Sequence, residues 1–526
     1  MTHRRFAKWI GLSYPSSRQL PHLFSRVLRT GWEQVVAGCP TFRGFRKAGK
    51  HGVPHPCSRF LRTGWVHALA VILTLAAFAL PASAEWKEQV LYSFQGIPDG
   101  ATPVGGIVFD SAGNLYGATQ DGGSSSCRSA DSQCGTVFQL SPPAQKGDPW
   151  TETVLYVFKG NTNNDGAEPF GGLVIDGAGN LYGTAGFGGT GSCSLLGTLM
   201  GCGTVFELSP PAQKGGAWTE TVLYSFQSGK DGYLPNGDLV FDAAGNLYGA
   251  TTYGGGYGSC NAPYFQYCGT VFKLSPPKQK GGNWAEKVLH SFKGGTKGKA
   301  DGDGANPNGG LVLDGKGAIY GTTYYGGNET GECNGGVGGT GCGAVFELTP
   351  PSRKGGDWGK NILHRFNGMD GGEPAAGVIF DLSGGLYGTT SGGGDNGYGL
   401  VYELKPRAGK SHAWWEKVLH HFTDGTDGAD PMAGLVHDSH DNLYGTAQYG
   451  SGGSVYGTVF ELKGRSGGGT WKLDLLYAFG NGTDGWAPAA NLTWDKAGNL
   501  YSTTQGGGTG GSCGKGGCGT VFEVTP

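Results

Sequence analysis

GIVFDSAGNLYGAT, residues 106–119, contains two short runs of β-branched and aromatic residues with a tight link between them. Residues of these types are enriched in β-strands. In the link, Asp110 can cap a turn through its side chain, and Gly113 can adopt the positive φ that tight turns need. The stretch therefore predicts two antiparallel strands joined by a hairpin.

The same pattern returns along the rest of the chain, always with an Asp at the start of the turn. These turn residues are Asp110, Asp176, Asp242, Asp314, Asp381, Asp438 and Asp495. In the first copy a Trp-led run, Val90–Phe94, precedes the hairpin and a further run, Gly135–Leu140, follows it, giving four strand-length segments. The Trp residues place the repeat starts near Trp86, Trp150, Trp218, Trp284, Trp358, Trp415 and Trp471.

Four short strands per unit, repeated seven times without a helical pattern between them, favour radial repetition of small antiparallel sheets. A solenoid would need parallel crossovers and a shorter period. The sequence therefore predicts an all-β, seven-bladed β-propeller of four-stranded antiparallel blades over residues 85–526.

The shared core, GLVxDxxGNLYGTT followed by GTVFELxP, resembles the GloVer-type tandem repeat of exported bacterial proteins, over essentially all of residues 86–526. Its strand pattern is similar to that of NHL-type propeller blades. The resemblance implies that GIVFD is inner strand A, NLYGAT strand B, GTVFQL strand C and the Trp-led run outer strand D. The repeat region then begins with a D strand and ends with a C strand, so the resemblance implies that Val90–Phe94 pairs with Gly519–Val524 in the last blade and closes the ring. It also implies export.

The N-terminal 84 residues are interpreted as a basic leader and signal peptide. Residues 1–62 contain 12 Lys and Arg but a single acid, Glu33, and an apolar run follows at 65–80. Pro-Ala-Ser-Ala at 81–84 fits a signal-peptidase site, so we expect cleavage near 84/85 and a secreted or periplasmic product. An uncleaved membrane anchor is the alternative, and no membrane span is expected in the mature chain.

Composition and charge limit the classes of partner that are expected. The chain has 105 Gly and 4 Met in 526 residues, which is typical of many short strands and turns. Beyond residue 62 there are 27 basic and 40 acidic residues, a net charge of about −13. Such a surface repels phosphate backbones, so nucleic acid is not expected as a partner, and we expect a monomer.

In an up-and-down blade the B–C and D–A links emerge at the same end, here called the loop-rich face. Every D–A link contains Asp-Gly-x-x-Pro, beginning at Asp99, Asp165, Asp231, Asp303, Asp370, Asp427 and Asp484. A turn stabilised by the Asp carboxylate is the favoured interpretation. A ring of carboxylates that binds cations is the alternative.

Cysteines occur in pairs in five of the B–C links and are absent from the other two. The pairs are Cys127/Cys134, Cys193/Cys202, Cys260/Cys268, Cys333/Cys342 and Cys513/Cys518. Joint presence and absence, together with export, predicts five disulfides. Two Cys without a nearby His fall short of a zinc site, so no metal is assigned.

Because repeated residues build the fold, function is sought where one unit departs from the others. At the end of strand B, four units carry an aromatic residue and the others carry Asp121, Gly392 or Gly506. These candidate ligand-binding residues are Phe187, Tyr253, Tyr325 and Tyr449. They could stack on sugar rings or peptide side chains, or they could pack against neighbouring loops.

Histidines offer a weaker candidate for chemistry. His437 replaces the usual Phe at the end of strand A, and His421 and His440 are close to it in sequence. A metal or acid–base site could be built on them. The sequence contains no nucleophile elbow, phosphate loop or H-E-x-x-H motif, so no catalytic residue and no cofactor is assigned.

The sequence therefore predicts an exported, non-catalytic binding or scaffold module whose ligand is a glycan, a peptide or a partner protein. The alternative is a propeller enzyme, a hydrolase, lyase or lactonase, with its site at the mouth of the central channel. Unlike titratable residues converging at that mouth would favour the enzyme, whereas the same residue from every blade would favour binding or a structural role.

Overall fold

The computed structural model describes residues 86–526 except 125–133, 146, 161–163, 196–197, 257–260, 263–264, 267, 280, 296–298, 329, 331–340, 408–413, 451–455, 465–468 and 481. Within these ranges the chain forms seven antiparallel sheets, each containing strands A to D in the order A-B-C-D. This all-β, seven-bladed propeller confirms the predicted fold class. Blade numbers below follow strand A along the chain.

The strands have equivalent bounds from blade to blade. The A strands are Val108–Phe109, Val174–Ile175, Val240–Phe241, Val312–Leu313, Ile379–Phe380, Val436–His437 and Thr493–Trp494. The B strands are Leu115–Thr119, Leu181–Ala185, Leu247–Tyr253, Ile319–Thr323, Leu386–Thr390, Leu443–Ala447 and Leu500–Thr504. The C strands are Thr136–Ser141, Thr204–Ser209, Thr270–Ser275, Ala344–Thr349, Leu400–Pro406, Thr458–Lys463 and Thr520–Thr525. The D strands are Thr151–Val157, Thr219–Ser225, Ala285–Ser291, Gly359–Arg365, Trp414–His421, Lys472–Ala478 and, for blade 7, Lys87–Ser93.

Shorter strands and hairpins lie on the loop-rich face. Gly166–Ala167 pairs with Phe187–Gly188, and Tyr233–Pro235 pairs with strand B of blade 3. Two small hairpins join Ser194–Leu195 to Thr198–Leu199 and Asn261–Ala262 to Phe265–Gln266. In the described part of the chain, Gly514–Gly516 forms a 3₁₀ turn and no helix has the length and apolarity to cross a bilayer. The apolar run at 65–80 lies outside the described residues.

The ring is closed by the two ends of the repeat region, as the sequence predicts. Lys87–Ser93 pairs antiparallel with Thr520–Thr525, with Val90 opposite Phe522 and Ser93 opposite Thr520. The N-terminal strand is thus strand D of the last blade. This closure removes two sheet edges that would otherwise be free to pair with other chains.

Strands C and D contain a β-bulge at the same place in every blade. One Leu of strand D has no partner across the pair, for example Leu155, because Val137 pairs with Tyr156 while Phe138 pairs with Val154. The equivalent bulged residues are Leu91, Leu155, Leu223, Leu289, Leu363, Leu419 and Leu476. A bulge adds local twist, which suits an outer strand that must follow the next blade.

The hydrophobic core lies between blades. The Phe that directly follows each strand D packs edge-on against an aromatic ring in strand C of the next blade, with ring centroids 5.0–5.4 Å apart. The pairs are Phe94–Phe138, Phe158–Phe206, Phe226–Phe272, Phe292–Phe346, Phe366–Tyr402, Phe422–Phe460 and Phe479–Phe522. Edge-to-face pairs of this kind stabilise a core beyond the area that they bury.

The periodic Trp packs between blades as well. Trp218 of blade 2 lies against Tyr116 of blade 1, with ring centroids 6.1 Å apart. In blade 5 this position is occupied by Trp414, which packs into the core, whereas Trp415, the repeat start suggested by the sequence, is 37% exposed. The repeat in blade 5 therefore starts one residue earlier than the sequence suggests.

Candidate functional site

The D–A links of the loop-rich face are anchored by their Asp side chains. Asp165 accepts hydrogen bonds from the Tyr156 hydroxyl and the Lys159 backbone N–H, both at 2.8 Å. In each of the other links the equivalent Asp also contacts a Tyr or His of strand D and accepts a hydrogen bond from a backbone N–H. The turn interpretation of Asp-Gly-x-x-Pro is therefore confirmed.

The residue before the Pro of each link has a left-handed backbone, with φ between 52° and 58°, although none of the seven is Gly. These residues are Thr102, Glu168, Leu234, Asn306, Glu373, Asp430 and Ala487. Each donates its backbone N–H to a carbonyl of the preceding blade, for example Leu234 to Cys202 at 3.0 Å. A left-handed conformation is costly for residues with a Cβ and persists where surrounding contacts hold it. The loop-rich face is thus fixed from blade to blade.

Disulfides lie next to these inter-blade contacts. Cys193–Cys202 and Cys513–Cys518 are bonded, with Cα–Cα distances of 4.9 and 5.3 Å, which confirms two of the predicted pairs. Cys134, Cys268 and Cys342 are also disulfide-bonded. Their predicted partners, Cys127, Cys260 and Cys333, lie outside the described residues, so these three pairings stay predictions.

The second cysteine of each pair has a structural role that the sequence did not indicate. The carbonyls of Cys134, Cys202, Cys268, Cys342 and Cys518 accept the N–H of the left-handed residue in the next D–A link. In the two blades without cysteines, Tyr398 and Tyr456 supply this carbonyl. Each disulfide therefore ties a B–C loop to the residue that contacts the next blade.

Three of the four predicted aromatic residues lie in consecutive blades, each against a second ring. Ring-centroid distances are 6.2 Å for Phe187 and Phe170, 5.3 Å for Tyr253 and Tyr233, and 4.6 Å for Tyr325 and Tyr324. Tyr253 also interacts electrostatically with Tyr325 of the next blade. We call Phe170, Phe187, Tyr233, Tyr253, Tyr324 and Tyr325 the aromatic patch of blades 2–4.

All six rings of the aromatic patch are half-buried, so each combines packing against its neighbour with some exposure to solvent. Burial, followed by neighbouring Tyr residues, raises the pKa of Tyr253, and burial, followed by Glu373, raises that of Tyr325. These phenols therefore remain protonated hydrogen-bond donors at neutral pH.

Polar side chains flank the patch at the junctions of blades 3 and 4 and of blades 4 and 5. The Tyr324 hydroxyl donates a hydrogen bond to Glu373 Oε2 at 3.1 Å. Thr252 Oγ1 donates to Asn308 Oδ1 at 2.9 Å. Aromatic faces bordered by hydroxyl, amide and carboxylate groups can stack on a flat ligand and accept or donate hydrogen bonds at its edge.

Tyr449, the fourth predicted aromatic residue, is separate from the patch. It belongs to blade 6, across the ring from blade 3, and its backbone pairs with Ala429. Burial, with Asp430 as a further cause, raises the pKa of Tyr449. Tyr449 therefore serves as a matched aromatic outside the patch.

The axis of the propeller is filled by residues that the sequence reasoning missed. At the position before strand A, five blades have Gly, whereas blade 3 has Asp238 and blade 7 has Asn491. Asn491 Nδ2 donates to Asp238 Oδ2 at 3.0 Å, and Gly172 N–H donates to Asp238 Oδ1 at 2.6 Å. Asn491 Oδ1 in turn accepts the Gly434 N–H at 2.6 Å.

Close backbone packing explains why the other blades use Gly here. A Cβ on Gly377 would overlap the Gly310 carbonyl oxygen, and a Cβ on Gly172 would lie 2.9 Å from Asp238 Oδ1. Asp238 keeps some solvent exposure but is enclosed by surrounding protein, and burial raises the pKa of its carboxyl group. Comparing the seven units at this position would have found both residues, because they are the two that depart from Gly.

The candidate histidines do not form one site. His421 lies at the end of strand D, on the loop-rich side, and accepts a hydrogen bond from the Asp395 N–H. His437 lies at the end of strand A, at the opposite end of the blade, and contacts the Asp438 carbonyl at 2.9 Å. Among the described residues no group of three or more His, Cys, Asp or Glu is arranged to hold a metal ion.

The solved structures that this chain resembles are distant from it. A candidate 6-phosphogluconolactonase from Bacteroides uniformis is 15% identical, covering 70% of this chain and 84% of that one, with a TM-score of 0.41. A luciferin-regenerating enzyme is 12% identical over 67% of this chain and 90% of that one, with a TM-score of 0.39. A protein of unknown function from Dyadobacter fermentans is 13% identical over 74% and 98%, with a TM-score of 0.35.

Comparison of sequences identifies the family of this chain. No curated protein matches the chain. The family model of the Gloeobacter/Verrucomicrobia repeat matches residues 77–262, 132–337 and 331–526, and so spans every blade. This agrees with the resemblance carried by the repeated strand and turn motifs. The chain therefore belongs to the Gloeobacter/Verrucomicrobia repeat family.

Proposed function

We propose that this protein is an exported β-propeller that binds a ligand on its loop-rich face, through the aromatic patch of blades 2–4, and does not catalyse a reaction. The observation that carries the proposal is the grouping of Phe187, Tyr253 and Tyr325 in consecutive blades, each extended by a second ring. The other blades have Asp121, Gly392, Tyr449 and Gly506 at this position, so the patch is a local departure from the repeat.

The rigidity of the face supports a binding role. Inter-blade hydrogen bonds hold the D–A links, and disulfides hold the B–C loops beside them. A surface that is already ordered loses little conformational entropy when it binds. Half-exposed aromatic rings with polar neighbours suit a glycan, a peptide or a partner protein.

The enzyme alternative has less support in the part of the chain that the structure describes. Asp238 lies at the axis, and both of its oxygens already accept hydrogen bonds from the protein. General acid–base chemistry at a channel mouth would need a second titratable group within reach of the same substrate atom. We therefore propose binding as the function.

The test is a glycan and peptide array probed with the purified, fluorescently labelled protein. We expect specific binding to a limited set of ligands, with competition by the same ligand free in solution. Turnover of a lactone, ester or glycoside substrate by the wild-type protein would instead support the enzyme alternative. Absence of binding on both arrays would oppose a small-ligand role for the patch.

Export is the second part of the proposal. The basic segment, the apolar run at 65–80 and Pro-Ala-Ser-Ala at 81–84 support it, and the disulfides are consistent with an oxidising compartment. N-terminal sequencing of the protein recovered from periplasm and medium should give a chain that begins near Glu85. A product that begins at Met1 and stays with the membrane fraction would contradict cleavage.

A further inference from the structure

The junctions between neighbouring blades carry a repeated set of titratable side chains. Each has a Tyr or His from strand D of one blade, the Asp of the following D–A link, and the second residue after the Trp of the next strand D. In five junctions this last residue is Glu: Glu88, Glu152, Glu220, Glu286 and Glu416. They interact electrostatically with Asp484, Asp99, Asp165, Asp231 and Asp370, respectively.

All five Glu residues share an unusual feature. In each, Oε1 is buried and has no hydrogen-bond partner among the residues that the structure describes. At the junction of Glu152 the same is true of Asp99 Oδ1, while Asp99 Oδ2 accepts hydrogen bonds from Tyr92 and the Gln95 N–H. A buried oxygen without a partner is costly, so a recurring one needs an explanation.

The remaining two junctions show what the position accepts. In one, Lys360 replaces Glu, and its Nζ lies 3.1 Å from Asp303 Oδ2. Although burial opposes it, hydrogen bonds from His290 and the Lys293 N–H and the charge of Lys360 lower the pKa of Asp303. In the other, Leu473 replaces Glu. The position thus accommodates a cation or a neutral group beside the Asp, which indicates that a second negative charge is unfavourable there.

We propose that each of the five Glu–Asp junctions binds one proton near neutral pH, so that mild acidification strengthens the contacts between blades. The Glu takes the proton, because the Asp carboxylate already accepts a backbone N–H hydrogen bond at all five junctions and a Tyr hydroxyl hydrogen bond at four of them. These hydrogen bonds favour the ionised form of the Asp. The protonated Glu is then neutral, as Leu473 is, and has an O–H that can donate to a carboxylate oxygen.

The electrostatics of the five sites agree with this proposal. Burial, followed by the neighbouring Asp, raises the pKa of Glu88, Glu152, Glu220 and Glu286 to about 7. Burial raises the pKa of Glu416 to about 7 as well, with His364 opposing and Asp370 adding to the shift. The other groups that face these sites are Tyr477 at Glu88, Tyr92 at Glu152, Tyr156 and Lys159 at Glu220, Tyr224 at Glu286, and Tyr402 at Glu416.

The sign of the effect follows from linkage. An unfolded Glu titrates near its ordinary value of about 4.3, so between that pH and about 7 the folded protein binds more protons than the unfolded chain. The protonated Glu residues therefore contribute stability at low pH, and this contribution is lost as the pH rises through about 7. His420 opposes it, because burial, partly offset by Asp427, lowers the pKa of His420.

The test compares the thermal midpoint of the wild-type protein between about pH 8 and about pH 6 with that of the variant carrying Glu→Gln at all five positions. Gln resembles the protonated Glu in shape and charge. We expect the wild-type midpoint to rise on acidification. The variant with all five substitutions, called the fivefold variant below, should have a midpoint at pH 8 at least as high as that of the wild type, and its midpoint should not rise on acidification. Each single Glu→Gln variant should remove roughly a fifth of the rise, because distant sites add.

Additional variants and an infrared titration test the same protons independently. Lys360→Glu should create a sixth Glu–Asp junction and make the thermal midpoint depend more steeply on pH. Asp148 is exposed, so Asp148→Asn should leave that dependence unchanged. If the fivefold variant does not fold, the infrared carboxylic-acid band of the wild-type protein reports the same protons, and it should disappear on titration from about pH 6 to about pH 8. A wild-type midpoint that is flat or falls on acidification, a fivefold variant that keeps the full rise, or the absence of that band would overturn the proposal.

Discussion

Asn491 of blade 7 donates a hydrogen bond to Asp238 of blade 3 at 3.0 Å, although 253 residues separate them in the sequence. The backbone N–H groups of Gly172 and Gly434 complete the network, which thereby joins blades 2, 3, 6 and 7 at the axis. Strand pairing between the two termini closes the ring at its outer edge, and this network links it at the centre, where no sheet extends from one blade to another.

Removing one side of the axial network should destabilise the propeller. Asn491→Gly, which restores the residue of five other blades, leaves Asp238 Oδ2 enclosed without its partner, and an unpaired buried acceptor costs about 1–3 kcal/mol or more when charged. The free energy of unfolding from urea denaturation should fall accordingly. The exchange Asp238→Asn with Asn491→Asp keeps every hydrogen bond possible and should recover most of the loss. Wild-type stability in Asn491→Gly would contradict a stabilising role for the network.

Tyr402 is expected to be a site where a substitution stabilises the protein. It occupies the strand C position that is Phe in the other six blades, is fully buried against Phe366, and has a hydroxyl without a hydrogen-bond partner among the described residues. Tyr402→Phe removes that unpaired group, so the free energy of unfolding should rise by about 1 kcal/mol. The reverse change in blade 4, Phe346→Tyr, should lower it. A loss of stability in Tyr402→Phe would show that the hydroxyl has a partner that this account lacks.

Disulfide removal should act locally. Cys193 and Cys202 are nine residues apart, so the bond closes a small loop and adds on the order of 2–3 kcal/mol at most. In the Cys193→Ser, Cys202→Ser variant we expect faster proteolysis between residues 189 and 203, measured by mass spectrometry, with a near-native circular dichroism spectrum. The Cys513→Ser, Cys518→Ser variant should open its own loop instead. Global unfolding in either variant would refute a purely local role.

Much of the fold could be predicted from the sequence because each unit contains the same strand and turn motifs. Asp110 accepts hydrogen bonds from the N–H groups of Ala112 and Asn114, and this turn recurs with each copy of the motif. The pairing of the segment Val90–Phe94 with Gly519–Val524 followed from the strand order that the family resemblance implied, whereas the register came from the structure. Repetition makes such predictions safe, since an error in one unit would conflict with the other six.

The site was less predictable because its contacts join residues that are far apart in sequence. Phe187 could be singled out as a departure from the repeat, but its contact with Phe170 depends on how a D–A link folds back over strand B. The same applies to Glu152, because in sequence it is an ordinary polar residue of an outer strand and only the folded structure brings it to Asp99 of the same junction. Alternating burial identifies the faces of a strand, whereas charge pairs between blades need the three-dimensional arrangement.

Ligand binding at the aromatic patch of blades 2–4 is tested most directly by measuring the affinity of variants that lack its rings. With a ligand identified on the arrays, the dissociation constants of wild type, Tyr253→Ala with Tyr325→Ala, and Tyr449→Ala should be measured by isothermal titration calorimetry. Each aromatic contact contributes about 0.5–1.5 kcal/mol, so the double variant should bind on the order of tenfold to a hundredfold more weakly. Tyr449→Ala should bind like the wild type. Unchanged affinity in a correctly folded double variant, or an equal loss in Tyr449→Ala, would contradict binding at blades 2–4.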